Sequence, residues 1–367
     1  MEKYMKLAWK ELKYSKTKYI LIESIIILMI FMVIFLSGLA NGLARAVSAS
    51  IENADAKYFV INEDAENLIT ISGMPIDTLE QVSEATKGPV TQLDIQRMNL
   101  TTAGSETKLD VTYFAIDPDS FLAPEPSEGQ MLPSSGTEYT IVLDDSFLEE
   151  GIEIGDVVVD ANSGLELQVI GFIKDEMYGH SPVGFISTAT YTAINQEINP
   201  SYEVKYHAIA VQGTDIEDIH IDGLAVVDKA TIVEHLPGYS AEQITINMIL
   251  WVLVVISAAI LGVFFYVITI QKQKQFGVLK AIGMGMPELT GMITSQVLIL
   301  SLFGVIAGNL LAFGMASMLP SSMPFYLKLP IVVIISIVFV MISLCTSLVS
   351  TRKVAKVDPI VIIGGNE

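Results

Sequence analysis

The stretch Asp175–Ser181, DEMYGHS, sets a thioether, a phenol and an imidazole within four positions, at Met177, Tyr178 and His180. Each of these groups can ligate a transition metal. A second stretch, Pro237–Gln243, PGYSAEQ, carries Tyr239 and Glu242, which at i, i+3 share one face of a helix. The histidines are His180, His207, His220 and His235, and the lone cysteine, Cys345, lies in an apolar run. One cysteine allows neither an internal disulfide nor a thiolate metal cage. Ordinary uses compete with ligation: a half-buried tyrosine with a satisfied hydroxyl, a glutamate in the first turn of a helix, a histidine in a Gly-His-Ser-Pro turn.

Other chemistries are missing from the chain. No G-x-x-x-x-G-K-S/T offers a phosphate cradle, and no G-x-S-x-G or H-E-x-x-H offers a nucleophile or a zinc site. The chain is expected not to be an enzyme, so any work it does draws energy from a partner.

What must position these residues follows from composition. The 367 residues are 51% hydrophobic and 17% charged, with a formal net charge of −20. That is too apolar for a water-soluble chain and too charged for one wholly in lipid. From Ile51 to Thr245 stand 35 acidic and 7 basic residues, leaving 6 acidic and 14 basic elsewhere. Basic residues kept apart from an acidic middle argue against nucleic-acid binding and for loops sorted by a membrane.

Apolar runs at 19–43, 244–271, 289–319 and 329–350 are long enough to cross a bilayer. Lys3, Lys6, Lys10, Lys13, Lys16 and Lys18 precede the first, Lys272, Lys274 and Lys280 follow the second, and Arg352, Lys353 and Lys356 follow the fourth. Only Lys328 falls in the short opposite loop. The positive-inside bias puts both termini in the cytoplasm, at the plasma membrane, and residues 44–243 outside. The first run is too long for a signal peptide and lacks a clean cleavage site. Residues 1–18 have amphipathic helical spacing and are expected to lie on the inner leaflet; residues 351–367 form a cytoplasmic tail. Glu23, about one turn into the first span, is within reach of Lys16 or Lys18.

Residues 44–243 show mixed periodicities. TYTIVLDDSFLEE reads as a strand entering a short helix, and IGDVVVD and LELQVIGFI as paired strands with a turn at Asn162–Gly164. MPIDTLEQVSEATKG has helical spacing ending at Gly88, and the segment from Pro118, rich in Pro, Ser and Gly, reads as loop. The fold class is therefore an α-helical membrane protein with four transmembrane helices plus an extracytoplasmic mixed α/β domain between spans one and two.

Residues 272–288 carry a short apolar stripe, Phe276, Val278, Leu279 and Ile282, with Lys280 outward and Gly283 and Gly285 ending it. Such a helix is too short to stand alone in water, so it rests on lipid or in a groove of another protein. FGVLKAIGMG here, RKVAKVDPIVIIGG at the C-terminus, and the order one span, large domain, three spans resemble the FtsX/MacB-type ABC transporter permeases over the whole chain. That resemblance implies a homodimer in the lipid bilayer and two copies of a separate ATPase, through which alone ATP is used. The ATPase would dock on Phe276, Gly277, Val278, Leu279, Lys280, Ala281, Ile282 and Gly283. Its closure would be relayed through the spans to the external domain, an action called mechanotransmission.

Within that family, FLSGLANGLAR, KDEMYGHSPV, PGYSAEQITINMI, FFYVITIQK, GVLKAIG, MPFYL and VDPIVIIGG, in this order, look like the haem exporter permeases (HrtB type) of Gram-positive bacteria. This implies haem as the transported substrate, an HrtA-like ATPase as partner, and haem iron as the only metal. Candidate axial ligands are Tyr239 and Glu242, nearest the membrane, then Tyr178, with Met177 and His180 behind. Gly38 and Gly42 have the spacing for close helix approach, read as a dimer contact, with packing inside one protomer as the other reading. Two further readings share the architecture: a permease for another amphiphile, such as a peptide antibiotic or lipid, and an FtsX-like regulator of a cell-wall hydrolase.

Overall fold

In lipid every backbone N–H and C=O must be satisfied within its own segment, so long apolar runs fold as helices. The computed structural model describes residues 14, 16–102, 107–134, 139–213, 221–320 and 323–355. Most of the expected inner-leaflet helix, His220 and the C-terminal motif beyond Ala355 fall outside these residues. Along the chain come α1 (Lys16–Asn53), α2 (Thr78–Ala85), α3 (Thr188–Ile198), α4 (Lys229–His235), α5 (Tyr239–Gln271), α6 (Gln273–Ala281), α7 (Met286–Ala316) and α8 (Leu329–Ala355). Helices α1, α5, α7 and α8 are long and apolar enough to cross a membrane. Contacts divide the chain into a helical unit, Met1–Asn41 with Thr245–Leu319 and Phe325–Glu367, and an α/β unit, Gly42–Ile244 with Pro320–Pro324.

The helical unit has a dry seam. Ile26, Ile30 and Ile34, four apart on α1, are each at most 1% exposed and pack with residues of α7 such as Met292, Val297 and Leu300. Two glycines of α7 make this seam close. A Cβ on Gly304 would sit 2.5 Å from Ile26 Cγ2, and one on Gly308 would sit 2.8 Å from Ile30 Cγ2. This small-xxx-small pair lets two backbones approach. Helix α7 is tied to α8 by Asn309 Nδ2 donating to Ser336 Oγ at 3.0 Å. At the end of α5, buried Lys272 donates to Gln296 Oε1 at 2.8 Å and lies 5.4 Å from the Tyr19 ring centre. Glu23 is buried, and neither of its oxygens has a hydrogen-bond partner among the described residues. The side chains of Lys16 and Lys18, expected near it, lie outside the described ones.

Among the described residues the α/β unit has eleven strands: β1 (Tyr58–Asn62), β2 (Val90–Thr102), β3 (Leu109–Ile116), β4 (Glu128–Gly129), β5 (Thr140–Asp144), β6 (Val157–Asp160), β7 (Glu166–Ile173), β8 (Met177–Tyr178), β9 (Ser181–Ser187), β10 (Ala208–Val211) and β11 (Leu224–Asp228). They run in the order β11-β1-β10-β2-β3-β9-β5-β7-β4, with β6 pairing both β2 and β7, and β8 pairing β9. Most neighbours are antiparallel; β3–β9 and β5–β7 are parallel. The strand pair around Asn162–Gly164 forms as read, because Asp160 Oδ1 accepts from the N–H of Asn162 and Ser163 and Gly164 supplies φ 75°. Strand β5 runs into a 3-10 turn, Asp145–Leu148. Helix α2 stops at Ala85, short of the expected Gly88. Gly88 instead permits a close approach, since a Cβ there would lie 2.7 Å from Gly213 Cα, where two backbones meet.

Candidate functional site

Met177 and Tyr178 pair with Pro182 and Ser181, so DEMYGHS folds as a β-hairpin whose tip is Gly179–His180. Both tip residues have positive φ, 57° and 63°. That geometry matches the twist of the strands but is costly for histidine, which lacks glycine's freedom. Backbone bonds hold it: Gly179 N–H donates to Val47 O at 3.0 Å and His180 N–H to Ala46 O at 2.8 Å. The first half of the stretch is fastened to the same helix, α1. Asn53 Nδ2 donates to Glu176 Oε1 at 2.9 Å and to Asp175 O at 3.1 Å, while Glu176 N–H donates to Asp144 Oδ2 at 2.8 Å. Burial pushes the Glu176 carboxyl up to about 7 and that of Asp144 up to about 6.

The hairpin sorts the candidates of this stretch by side. Tyr178 turns into the core, edge-on to Phe114 with ring centres 5.5 Å apart. Burial raises its hydroxyl to about 12, which makes forming the phenolate that binds iron costlier than for an exposed tyrosine. Met177 is half-buried. His180 stays outside, and its Nε2 lies 3.1 Å from Glu242 Oε1. Glu242 stands in the first turn of α5, after a bend at Gly238 with φ 86°, where carboxylates suit the helix dipole. Residues from the two separate sequence stretches thus meet. Tyr239 is half-buried against the core that holds Val47, Val233 and Leu236. His235 is occupied locally, with Nδ1 2.8 Å from Thr231 O and Nε2 3.3 Å from Asn67 Nδ2.

Beside the hairpin lies a cavity of about 850 Å³, with Tyr178, Gly179 and His180 on one wall. The facing wall was not legible in the sequence. It carries Tyr191, Tyr202 and His207, backed by Asp94. His207 N–H donates to Asp94 Oδ1 at 2.9 Å, and Ile95 N–H donates to His207 Nδ1 at 3.0 Å. Burial lowers the imidazole's affinity for a proton and raises Asp94, 1% exposed, to about 7. These residues are scattered along the chain, so no local spacing announces them; only the fold brings them together. Among the described residues, no group of three or more His, Cys, Asp or Glu side chains could hold a bare metal ion.

The remaining predicted residues are placed as follows. On α6, Phe276 and Gly277 are buried and Leu279 packs against the helical core, while Val278 and Ile282 are 55% and 74% exposed. The apolar stripe is therefore divided: Phe276 and Leu279 anchor the helix and Val278 and Ile282 face out. Lys280 stands in the last turn, the helix ends at Ala281, and Gly283 follows at φ 96°. Gly38 and Gly42 are both buried by their own chain. A Cβ on Gly38 would lie 2.5 Å from Phe325 Cζ and 2.9 Å from Leu327 Cδ2, and Tyr326 N–H donates to Gly38 O at 2.9 Å. These contacts account for the small residue at 38 without a second copy.

Comparison with known proteins bears on the same regions. Residues 21–220 match the MacB-like periplasmic core domain and residues 247–359 the FtsX-like permease C-terminal family. Proteins carrying the name hemin transport system permease protein HrtB align end to end. The one from Staphylococcus haemolyticus is 29% identical over 99% of this chain and 100% of its own, and one from Staphylococcus epidermidis is 30% identical with the same coverage. An uncharacterized ABC transporter permease of Mycobacterium tuberculosis is 23% identical over 98% of this chain and 99% of its own. Among solved structures, the extracellular domain of the noncanonic ABC-type transporter YknZ from Gram-positive bacteria is similar at 12% identity, covering 47% of this chain and 99% of that one, with a TM-score of 0.35.

Proposed function

Because the chain belongs to the FtsX/MacB-type permeases of ABC transporters, we propose that it is the permease subunit of an exporter that clears haem from the membrane. It is a permease, and ATP hydrolysis lies in a separate subunit. The observation that carries the haem reading is the meeting of His180 with Glu242 at 3.1 Å, in a chain aligned end to end with relatives named for hemin transport.

Haem is flat and largely apolar, and its iron takes an axial ligand. With Glu242 Oε1 held by His180, Oε2 is left for a ferric iron, a hard ion that suits carboxylate. A side chain that orients a ligating carboxylate is what metal sites commonly use. One carboxylate holds haem more weakly than a histidine pair would, and an exporter must let go. Tyr239, one turn earlier, is the second candidate; buried Tyr178 and half-buried Met177 rank behind.

The working unit is a homodimer with two copies of an HrtA-like ATPase, in the plasma membrane of a Gram-positive bacterium, both termini cytoplasmic. The ATPase docks on α6 through exposed Val278 and Ile282, and its closure reaches the α/β domain by mechanotransmission. The test is a haem titration of the purified permease in detergent, read by Soret absorbance, beside a Tyr239→Ala/Glu242→Ala double variant. Saturation at about one haem per dimer, weakened tenfold or more in the variant, supports the reading. Binding indifferent to the variant moves the iron site, and absence of saturable binding overturns haem as the cargo.

A further inference from the structure

Between Ile51 and Thr245 cations are scarce, 7 against 35 carboxylates. Two of those seven, Arg97 and Lys205, line the 850 Å³ cavity, whereas among the described residues Glu203 is the one carboxylate that does. The lining therefore carries two cations to one carboxylate, the reverse of the domain's ratio, and cations at a concavity raise the local concentration of anions. Its volume falls in the range of pockets that take small organic ligands, roughly 300–1,000 Å³.

Hydrogen-bond bookkeeping points the same way. Ile95 N–H occupies Nδ1 of His207, so the neutral ring carries its proton on Nε2 and can only donate there. The same bond bars His207 from ligating a metal through Nε2, which would need the proton moved to Nδ1. Gln96 accepts from Asn195 Nδ2 at 3.1 Å through its oxygen, leaving its amide N–H groups to donate. Lys205 makes no ion pair among the described residues, while Arg97 shares an exposed one with Asp110 at 3.1 Å. Apolar Val47, Ile71, Ile95, Leu236 and Pro237 also line it. Donors, a lysine unpaired among the described residues and apolar side chains around one cavity fit a carboxylate on an apolar body.

We propose that this cavity, which borders the His180–Glu242 pair at His180, is a second ligand site that binds an amphiphilic carboxylate through its acid group and without any metal bond. The propionate edge of the cargo proposed above has this chemistry, so for that ligand the inference rests on the haem reading; a fatty acid has it too. The two sources separate in one experiment on the full-length permease in detergent. Metal-free protoporphyrin is titrated by fluorescence, then its dimethyl ester, then oleate as competitor, against wild type, Lys205→Glu and the Tyr239→Ala/Glu242→Ala variant.

The expected result is saturable protoporphyrin binding, weakened at least tenfold by Lys205→Glu and by esterification and unchanged in the Tyr239→Ala/Glu242→Ala variant. That last arm keeps this site apart from the iron site: haem binding that the variant does not weaken moves the iron site, while porphyrin binding intact in the same variant leaves the carboxylate site standing. Oleate saturating a Lys205-dependent site that protoporphyrin does not enter keeps the carboxylate site and assigns it to a lipid-derived acid. Equal binding of the ester, or binding indifferent to Lys205→Glu, overturns the proposal.

Discussion

Replacing Gly304 by alanine puts a methyl group 2.5 Å from Ile26 Cγ2 and 3.2 Å from Glu23 Oε1. Carbon atoms rest about 3.5–4.0 Å apart, so roughly 1 Å of overlap must be relieved. Ile26 is 1% exposed and has no space to retreat into. Overpacking of a filled core costs about 1–3 kcal/mol, against about 1 kcal/mol regained from helix propensity. Gly314 on the same helix has nothing within 4 Å, and Gly262 on α5 meets only Thr346 Cγ2 at 3.7 Å. Alanine at either keeps the propensity gain without the clash. The variants are compared by SDS- or heat-induced unfolding of the full-length permease. Gly304→Ala should fall below Gly314→Ala by about 1–3 kcal/mol. If the two unfold alike, α1 and α7 do not cross at contact distance and the seam described above is wrong.

Three further outcomes are expected. Asp94, Asp144 and Glu176 have folded-state values raised to about 7, 6 and 7, above the usual carboxylate value near 4. The folded domain then binds more protons than the unfolded one, so its stability is highest near pH 4 and declines up to about pH 7; the protection of β5 and β8 peptides in the intact protein, taken relative to the base-catalysed intrinsic exchange rate at each pH, should fall across that window, and rising protection would contradict the burial of these groups. Val278→Asp or Ile282→Asp should abolish stimulation of the partner ATPase with the melting curve unchanged, whereas Phe276→Asp should lower the melting point; full coupling in both exposed-site variants removes the docking assignment. Gln296→Leu takes away an acceptor from buried Lys272 and should destabilise the helical unit by about 1.5–3 kcal/mol, which chemical unfolding would register.

The spans were legible because lipid imposes one rule on long apolar runs, and the hairpin at Asn162–Gly164 because Asp, Ser and Gly encode a turn in adjacent positions. The meeting of His180 with Glu242 was half legible: each residue stood out in its own stretch, but nothing local says that a turn at Gly179 brings them to bonding distance. Tyr178 illustrates the limit of residue type, since whether a tyrosine is core or ligand depends on Phe114, far away in sequence. The division of the α6 stripe was hidden for the same reason: periodicity finds an apolar face but not which part of it is already covered. At Gly38 and Gly304 the sequence offers the same small residue, and only the atoms that approach say what each glycine admits.

His180 touches the chain at both ends of its domain. Its backbone is bound to Ala46, on the segment that enters, and its side chain to Glu242, on the segment that leaves. Entry and exit are thus one residue's reach apart. A domain whose ends nearly coincide can be set into a host chain without asking the host to open a gap, the condition under which domain insertion is tolerated. The α/β unit therefore has the boundary of a graft. A cut between Gly42 and Ala46 and another after Glu242 would remove it with its own clasp intact, ready to be joined to the spans of a different permease.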